Sequence, residues 1–110
     1  MIEVECHIAI KKDGNGFLNT AKTELLNEII QSGSLSGAAK KLKMSYQHAW
    51  TMIDEMNHIA PEPLVIKQRG GRNGGGAEIS SYGTQILNEF ELIEAQVKKL
   101  ISQINVDINL

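Results

Sequence analysis

The stretch Ser34-Leu35-Ser36-Gly37-Ala38-Ala39-Lys40-Lys41-Leu42-Lys43-Met44-Ser45-Tyr46-Gln47-His48-Ala49-Trp50 decides how the rest of this chain is read. Its first part has the makings of a short helix. Ser34 or Ser36 can cap the start, and the inner face is small (Ala38, Ala39) before it ends in Leu42. Small residues let another helix approach closely. Lys43-Met44 is a tight connection, and Ser45 can cap a further helix beginning at Tyr46. That helix runs through Tyr46, Ala49, Ile53 and Met56 on one face and stops at Ala60-Pro61-Glu62-Pro63, because residues before proline avoid the α region. Two helices joined by a short turn, with the second displayed, form a helix-turn-helix.

Upstream, residues 20–32 set Ala21, Leu25 and Ile29, with Leu26 and Ile30, in an apolar helical stripe; Asn19 or Thr20 can cap it and Gly33 stops it. Before that, Val4, Cys6, Ile8 and Ile10 alternate with Glu3, Glu5, His7 and Lys11, which predicts a half-buried strand over 3–12 with Cys6 in the core. Asp13-Gly14-Asn15-Gly16 is the turn that closes it. Downstream, strand candidates at 64–68 and 77–80 flank Arg69-Gly70-Gly71-Arg72-Asn73-Gly74-Gly75-Gly76, a glycine-dense hairpin loop. A last helix over about 82–104 carries Ile86, Phe90, Ile93, Val97, Leu100 and Ile104 at spacings of 4, 3, 4, 3 and 4, an a/d seam. A helix of that length is about 35 Å long, longer than a small domain is wide, so part of it must project and the seam is expected to join a second copy. Residues 1–110 together read as one domain: mainly α with a β-hairpin wing (α+β), a winged helix-turn-helix with an N-terminal strand and a long C-terminal dimerisation helix.

Composition bounds the alternatives. The chain has 110 residues, 42% hydrophobic and 22% charged, enough for one ordinary core and too few for a doubly wound nucleotide enzyme or an eightfold barrel. A single cysteine excludes an internal disulfide framework and a thiolate zinc site. His7, His48 and His58 fall on three separate elements with no i, i+4 pair, so no metal site is expected. The glycine loop lacks the Gly-Lys-Ser/Thr ending of a phosphate loop and reads as a tight wing turn. Paired carboxylates, a nucleophile with its base and a metal cluster are all missing at convergent spacing. The expectation is therefore a protein that is not an enzyme, with no catalytic residues and no cofactor. Apolar stretches fall far short of the ~20 residues that span a bilayer, and residues 1–5 have no signal-peptide character, so a cytoplasmic location is expected. Trp50 reads as packed against a neighbouring element, and Met44, Met52 and Met56 as core filler.

Charge is unevenly placed. The net formal charge is −2, yet residues 36–76 hold Lys40, Lys41, Lys43, Lys67, Arg69 and Arg72 against Asp54, Glu55 and Glu62, a balance of +3. The flanking segments are both acidic. Positive charge thus collects on the short helix, its turn and the wing, where phosphates would lie. In the displayed helix, Gln47 carries an amide that can bond bidentately to adenine, while His48 and Thr51 can bond bases or phosphates. Ser45 can touch phosphate while capping, and Tyr46 can turn its hydroxyl outward. With Ser36, Lys40, Lys41 and Lys43 before them and Arg69, Arg72 and Asn73 on the wing, these residues form the candidate surface for double-stranded DNA.

Gly33-Ser34-Leu35-Ser36-Gly37-Ala38-Ala39, Met44-Ser45-Tyr46-Gln47-His48-Ala49-Trp50, Met56-Asn57 and Gly70-Gly71-Arg72-Asn73-Gly74-Gly75-Gly76-Ala77, in that order, resemble the N-terminal DNA-binding domain of ModE-type molybdate-responsive regulators. That domain is itself similar to the LysR-type winged helix. The resemblance covers about residues 5–100 and implies a homodimer on an inverted-repeat operator. ModE-type regulators normally continue into molbindin-like sensor domains. This chain ends at Leu110, directly after the long helix, and no molybdate site is identifiable in it, so molybdate sensing is not carried over. The other reading left open is a winged-helix protein-interaction module that has lost specific DNA readout, which the acidic net charge favours.

Overall fold

The structure is a computed structural model and describes residues 2–68, 76–104 and 107–110. Among the described residues the chain folds into four helices and two small antiparallel hairpins, an α+β arrangement. The order is β1 (Ile10–Lys12), β2 (Asn15–Leu18), α1 (Thr20–Ser32), α2 (Leu35–Lys41), α3 (Tyr46–Ile59), β3 (Val65–Gln68), β4 (Gly76–Ile79) and α4 (Ser81–Ser102).

Each helix starts on a side-chain cap. Asn19 accepts from the Lys22 amide at 2.8 Å, Ser34 from Gly37 at 3.0 Å, Ser45 from His48 at 3.0 Å and Ser80 from Gly83 at 2.9 Å. Such caps satisfy amides that have no partner inside the helix. The choice between Ser34 and Ser36 is thereby settled for Ser34, and that between Asn19 and Thr20 for Asn19. Gly33 ends α1 with φ of 73°. The end of α2 is less ordinary. Lys43 takes φ of 57°, the Met44 amide donates to the Ala39 carbonyl at 3.0 Å and the Lys43 amide to Lys40 at 3.2 Å. These are the reciprocal bonds of a Schellman turn, with lysine where glycine is usual.

The core is one cluster. Leu25, Leu26 and Ile29 of α1, Leu35, Ala38 and Ala39 of α2 and Ala49, Met52, Ile53 and Met56 of α3 are buried together with Leu18, Leu64, Val65, Ala77, Leu87 and Phe90. Ala38 and Ala39 are the small face that lets α2 lie close to its neighbours, as expected. One cation sits at the edge of this core. Lys22 is only 10% exposed in its side chain, and its Nζ reaches Glu55 Oε2 at 3.2 Å and the Gly16 carbonyl at 3.4 Å, tying α1 to α3 and to the first hairpin.

Two expectations at the N-terminus are corrected. The strand expected over 3–12 enters a ladder only at Ile10–Lys12, and its partner is Asn15–Leu18, a segment whose sequence reads as turn and connection. Asp13 (φ 52°) and Gly14 (φ 81°) make a two-residue reversal, so the chain folds back sooner than the alternation suggests. Residues 2–9 run on outside any ladder among the described residues. Cys6, expected in the core, is exposed for the same reason. The downstream elements differ by one or two residues: α4 spans Ser81–Ser102, leaving Ile104 just beyond the helix.

The second hairpin and α4 are joined at Leu64. The Leu64 carbonyl accepts from the Ser80 amide at 2.9 Å and from Ser80 Oγ at 3.2 Å. Gly83 faces the same peptide: a Cβ there would lie 3.0 Å from the Leu64 carbonyl carbon and 3.1 Å from its Cα, inside normal contact. Asn57 of α3 holds the other side, accepting from the Leu64 amide at 2.8 Å and donating to the Val65 carbonyl at 3.0 Å. These bonds fix the base of the hairpin against both α3 and α4.

Beyond that junction α4 leaves the domain. Tyr82, Gly83, Ile86, Leu87 and Phe90 pack on or in the core, whereas Leu92, Ile93, Leu100 and Ile104 are exposed. The Cα radius of gyration is 16.5 Å with extents of 57 × 29 × 22 Å. A compact chain of this length has about 13 Å, so the excess reflects the projecting half of α4.

Candidate nucleic-acid interface

α3 is amphipathic, and its two sides are cleanly sorted. Ala49, Met52, Ile53 and Met56 are buried, while Ser45, Tyr46, Gln47, His48 and Thr51 are exposed at and near its first turn. Tyr46 is a correction. Expected on the apolar stripe with Ala49, it is instead 43% exposed, because the first turn of α3 reaches past the edge of the core. Ser36, Lys40 and Lys41 of α2 and Lys43 of the turn are also exposed. The Schellman geometry turns the chain between α2 and α3 at Lys43, so that lysine stands between the two helices.

Local bonding organises the surface. Ser45 uses its hydroxyl on the His48 amide, and Thr51 Oγ1 donates to the Gln47 carbonyl at 3.0 Å. Tyr46 and Trp50 meet edge to face with ring centroids 6.0 Å apart. Lys67 of β3 lies over the Trp50 ring, its Nζ 4.0 Å from the centroid and 3.8 Å from Asp54 Oδ1. Trp50 is therefore half-buried between Tyr46 and the hairpin, the packed role expected for it. The link from α3 to Lys67 leaves no trace in the sequence. The two residues are far apart along the chain, and neither alternation nor charge count reports a cation resting on a ring.

The β3–β4 hairpin pairs Val65 with Ile79, Ile66 with Glu78, Lys67 with Ala77 and Gln68 with Gly76. It follows α3 directly and stands beside its first turns through Lys67. Arg69, Arg72 and Asn73, the expected wing contacts, lie outside the described residues. In the expected self-association seam, Phe90 is wholly buried within its own domain and Ile86 packs against the same core, so neither offers much surface to a partner. Ile93, Val97 and Leu100 continue the seam along the projecting half of α4, and Ile104 follows the last turn.

Among the described residues no group of three His, Cys, Asp or Glu side chains is placed to hold a metal. Among the same residues no helix is long and apolar enough to cross a membrane.

The arrangement is thus an α+β domain in which two helices joined by a tight turn precede a hairpin and a long helix, compatible with a winged helix. No protein-family model matches the chain. Individual proteins do. It is 34% identical over 102 residues to the molybdenum transport protein ModE of Azotobacter vinelandii and 38% over 94 residues to the transcriptional regulator ModE of Haemophilus influenzae. It is also 34% identical over 93 residues to the molybdenum-pterin-binding protein MopB of Rhodobacter capsulatus. These alignments cover 93%, 86% and 84% of this chain, and 38%, 37% and 34% of the respective relatives. Over most of its length the chain is similar to ModE proteins, the family its motifs resemble, and it spans at most about two fifths of the relatives it matches. The ModE proteins are named as regulators and a transport protein rather than as enzymes.

Proposed function

We propose that this chain is a sequence-specific DNA-binding transcriptional regulator of the winged helix-turn-helix type, acting in the cytoplasm as a homodimer on an inverted-repeat operator. The observation that carries this reading is the exposed crest formed by Lys40, Lys41, Lys43, Gln47, His48 and Thr51 on α2, its turn and the start of α3. Opposite faces of the same helices are buried, so the crest is presented by a rigid core. Three lysines supply sequence-independent attraction to phosphate, and Gln47 supplies base readout in a major groove about 12 Å wide. The hairpin, with Arg69, Arg72 and Asn73 from its loop, lies along the backbone or a minor groove. The family likeness supports the reading, since one relative is named a DNA-binding transcriptional dual regulator.

The exposed Ile93, Leu100 and Ile104, with half-buried Val97 between them, support dimerisation, which would place recognition helices on half-sites about 34 Å apart or a multiple of it. Selection of bound duplexes from a random library tests the proposal. An enriched palindrome bound about 10³-fold or more above bulk DNA is the expected result. Gln47→Ala should then relax preference at one base pair, and Arg72→Ala should weaken binding to all sequences. Weak, salt-labile binding without an enriched motif would overturn it in favour of a protein-interaction module.

A further inference from the structure

Residues 2–9 extend past the β1–β2 hairpin with no ladder partner among the described residues. They run beside the projecting half of α4: residues 4–8, Glu5 and His7 among them, line a groove of about 300 Å³ with Glu94, Val97, Lys98 and Ile101. The helix covers the apolar side chains of this segment only in part, since Val4 remains 48% and Ile2 45% exposed. An overhanging alternating strand of this kind, with open edges, is a template for another strand.

We propose that residues 2–10 pair antiparallel with the same residues of a second copy, about a two-fold axis through Cys6. This rests on the homodimer reading above. The register follows from the side chains. Centred on Cys6, the pairing sets Ile2 opposite Ile10, Val4 opposite Ile8 and Glu5 opposite His7, and no like charges face each other. Moving the axis to Glu5 or Val4 opposes two glutamates. Moving it to His7 opposes two imidazoles and sets Ile2 on Lys12. Moving it to Ile8 opposes Glu3 and Asp13. The chosen register joins the two hairpins into one four-stranded sheet, continuous with the seam on α4, and leaves the apolar faces on the helix side of both strands.

Cys6 is the only cysteine in the chain, so a disulfide between copies reports the axis directly. On the axis, opposed Cα atoms are about 4.5–5.5 Å apart, within disulfide reach. One residue away the same-residue separation rises to about 8 Å, beyond it. The experiment compares the full-length chain with variants carrying Cys6→Ser and a single cysteine introduced by Val4→Cys, Glu5→Cys or His7→Cys. Each is oxidised with copper phenanthroline, with sedimentation velocity run on the reduced samples. The expected result is a reduced dimer in which Cys6 cross-links at least tenfold faster than any other position. A sedimenting dimer that cross-links evenly, elsewhere or not at all overturns the strand pairing and leaves the α4 dimer standing. A monomer at every concentration overturns the dimer reading and this pairing with it.

Discussion

Replacing Lys43 by glycine should move stability and DNA affinity in opposite directions. Lys43 adopts φ of 57° at the turn between α2 and α3, where its amide and that of Met44 close the end of α2. A residue with a Cβ costs about 1–2 kcal/mol in that conformation. Glycine avoids that cost but gives back roughly 0.5–1 kcal/mol through the greater freedom of the unfolded chain. The central net gain is about 0.7 kcal/mol, which for a domain near this size raises the thermal midpoint by roughly 3–6 °C. The same substitution removes a cation from the proposed phosphate-facing crest. Each protomer then neutralises one phosphate fewer, and the slope of log affinity against log salt should fall in magnitude by about 1.8 for the dimer. Lys43→Ala separates the two effects, because it discards the charge and keeps the Cβ. It should show the same change in slope without the thermal gain. Circular dichroism melts at matched concentration and fluorescence anisotropy between about 50 and 200 mM salt read both quantities. A midpoint for Lys43→Gly at or below wild type would refute the strain argument. An unchanged salt slope in both variants would remove Lys43 from the phosphate surface.

Three other expectations follow from the packing. Gly83→Ala should cost about 1–3 kcal/mol in urea unfolding although alanine is the better helix former, since its methyl meets the Leu64 peptide; wild-type stability would mean that α4 can shift freely. Glu55→Ala should cost about 1 kcal/mol by leaving the buried Lys22 ammonium with the Gly16 carbonyl as its remaining partner, and adding Lys22→Met should recover most of it. A double-variant cycle checks this, and additive losses would count against the pair. Phe90→Ala should cost about 3–5 kcal/mol of fold stability, whereas Leu100→Ala, at a site 61% exposed, should leave the fold intact and weaken self-association in sedimentation. Equal effects of the two on folding would contradict the division of α4 into an anchored and a projecting half.

The helices are legible because their signals are local. Asn19, Ser34 and Ser45 each sit one residue before a helix, and most of the apolar residues spaced along α1 and α3 are buried, whereas Ala21, Ile30 and Tyr46 of the expected stripes are exposed and Ser80, read as the end of a strand, caps α4. The N-terminal strand is shorter than its pattern because alternation marks an extended backbone and says nothing of whether a partner strand runs beside it. Asn15–Leu18 escapes notice because a four-residue strand containing Gly16 has too little pattern to announce itself. The heptad spacing through Phe90 is real, yet one uninterrupted stripe serves two surfaces: its own core up to Phe90 and, beyond it, a mostly exposed stretch in which Val97 is half-buried. At the candidate interface, residue types on the crest are readable from charge and cap positions. The exposure of Tyr46 and the contact of Lys67 with Trp50 depend on where the core ends and where a distant hairpin lands. Asn57 is legible only as part of a family motif, although its amide clamps the chain entering β3.

The meeting of Ser80, Gly83 and Leu64 has a mechanical consequence. It makes a short, stiff pivot at one end of a 22-residue helix. The half of α4 through Phe90 is held in the core, so only the 12 residues from Glu91 to Ser102, about 18 Å, are free to swing, and a bend of about 10° where they leave the core moves the far end through about 3 Å. In the proposed dimer the far ends are joined, so the swing appears instead as a change in the distance between the two reading heads. Compliance where α4 leaves the core, far from any base, would then set how much variation in operator spacing the protein tolerates.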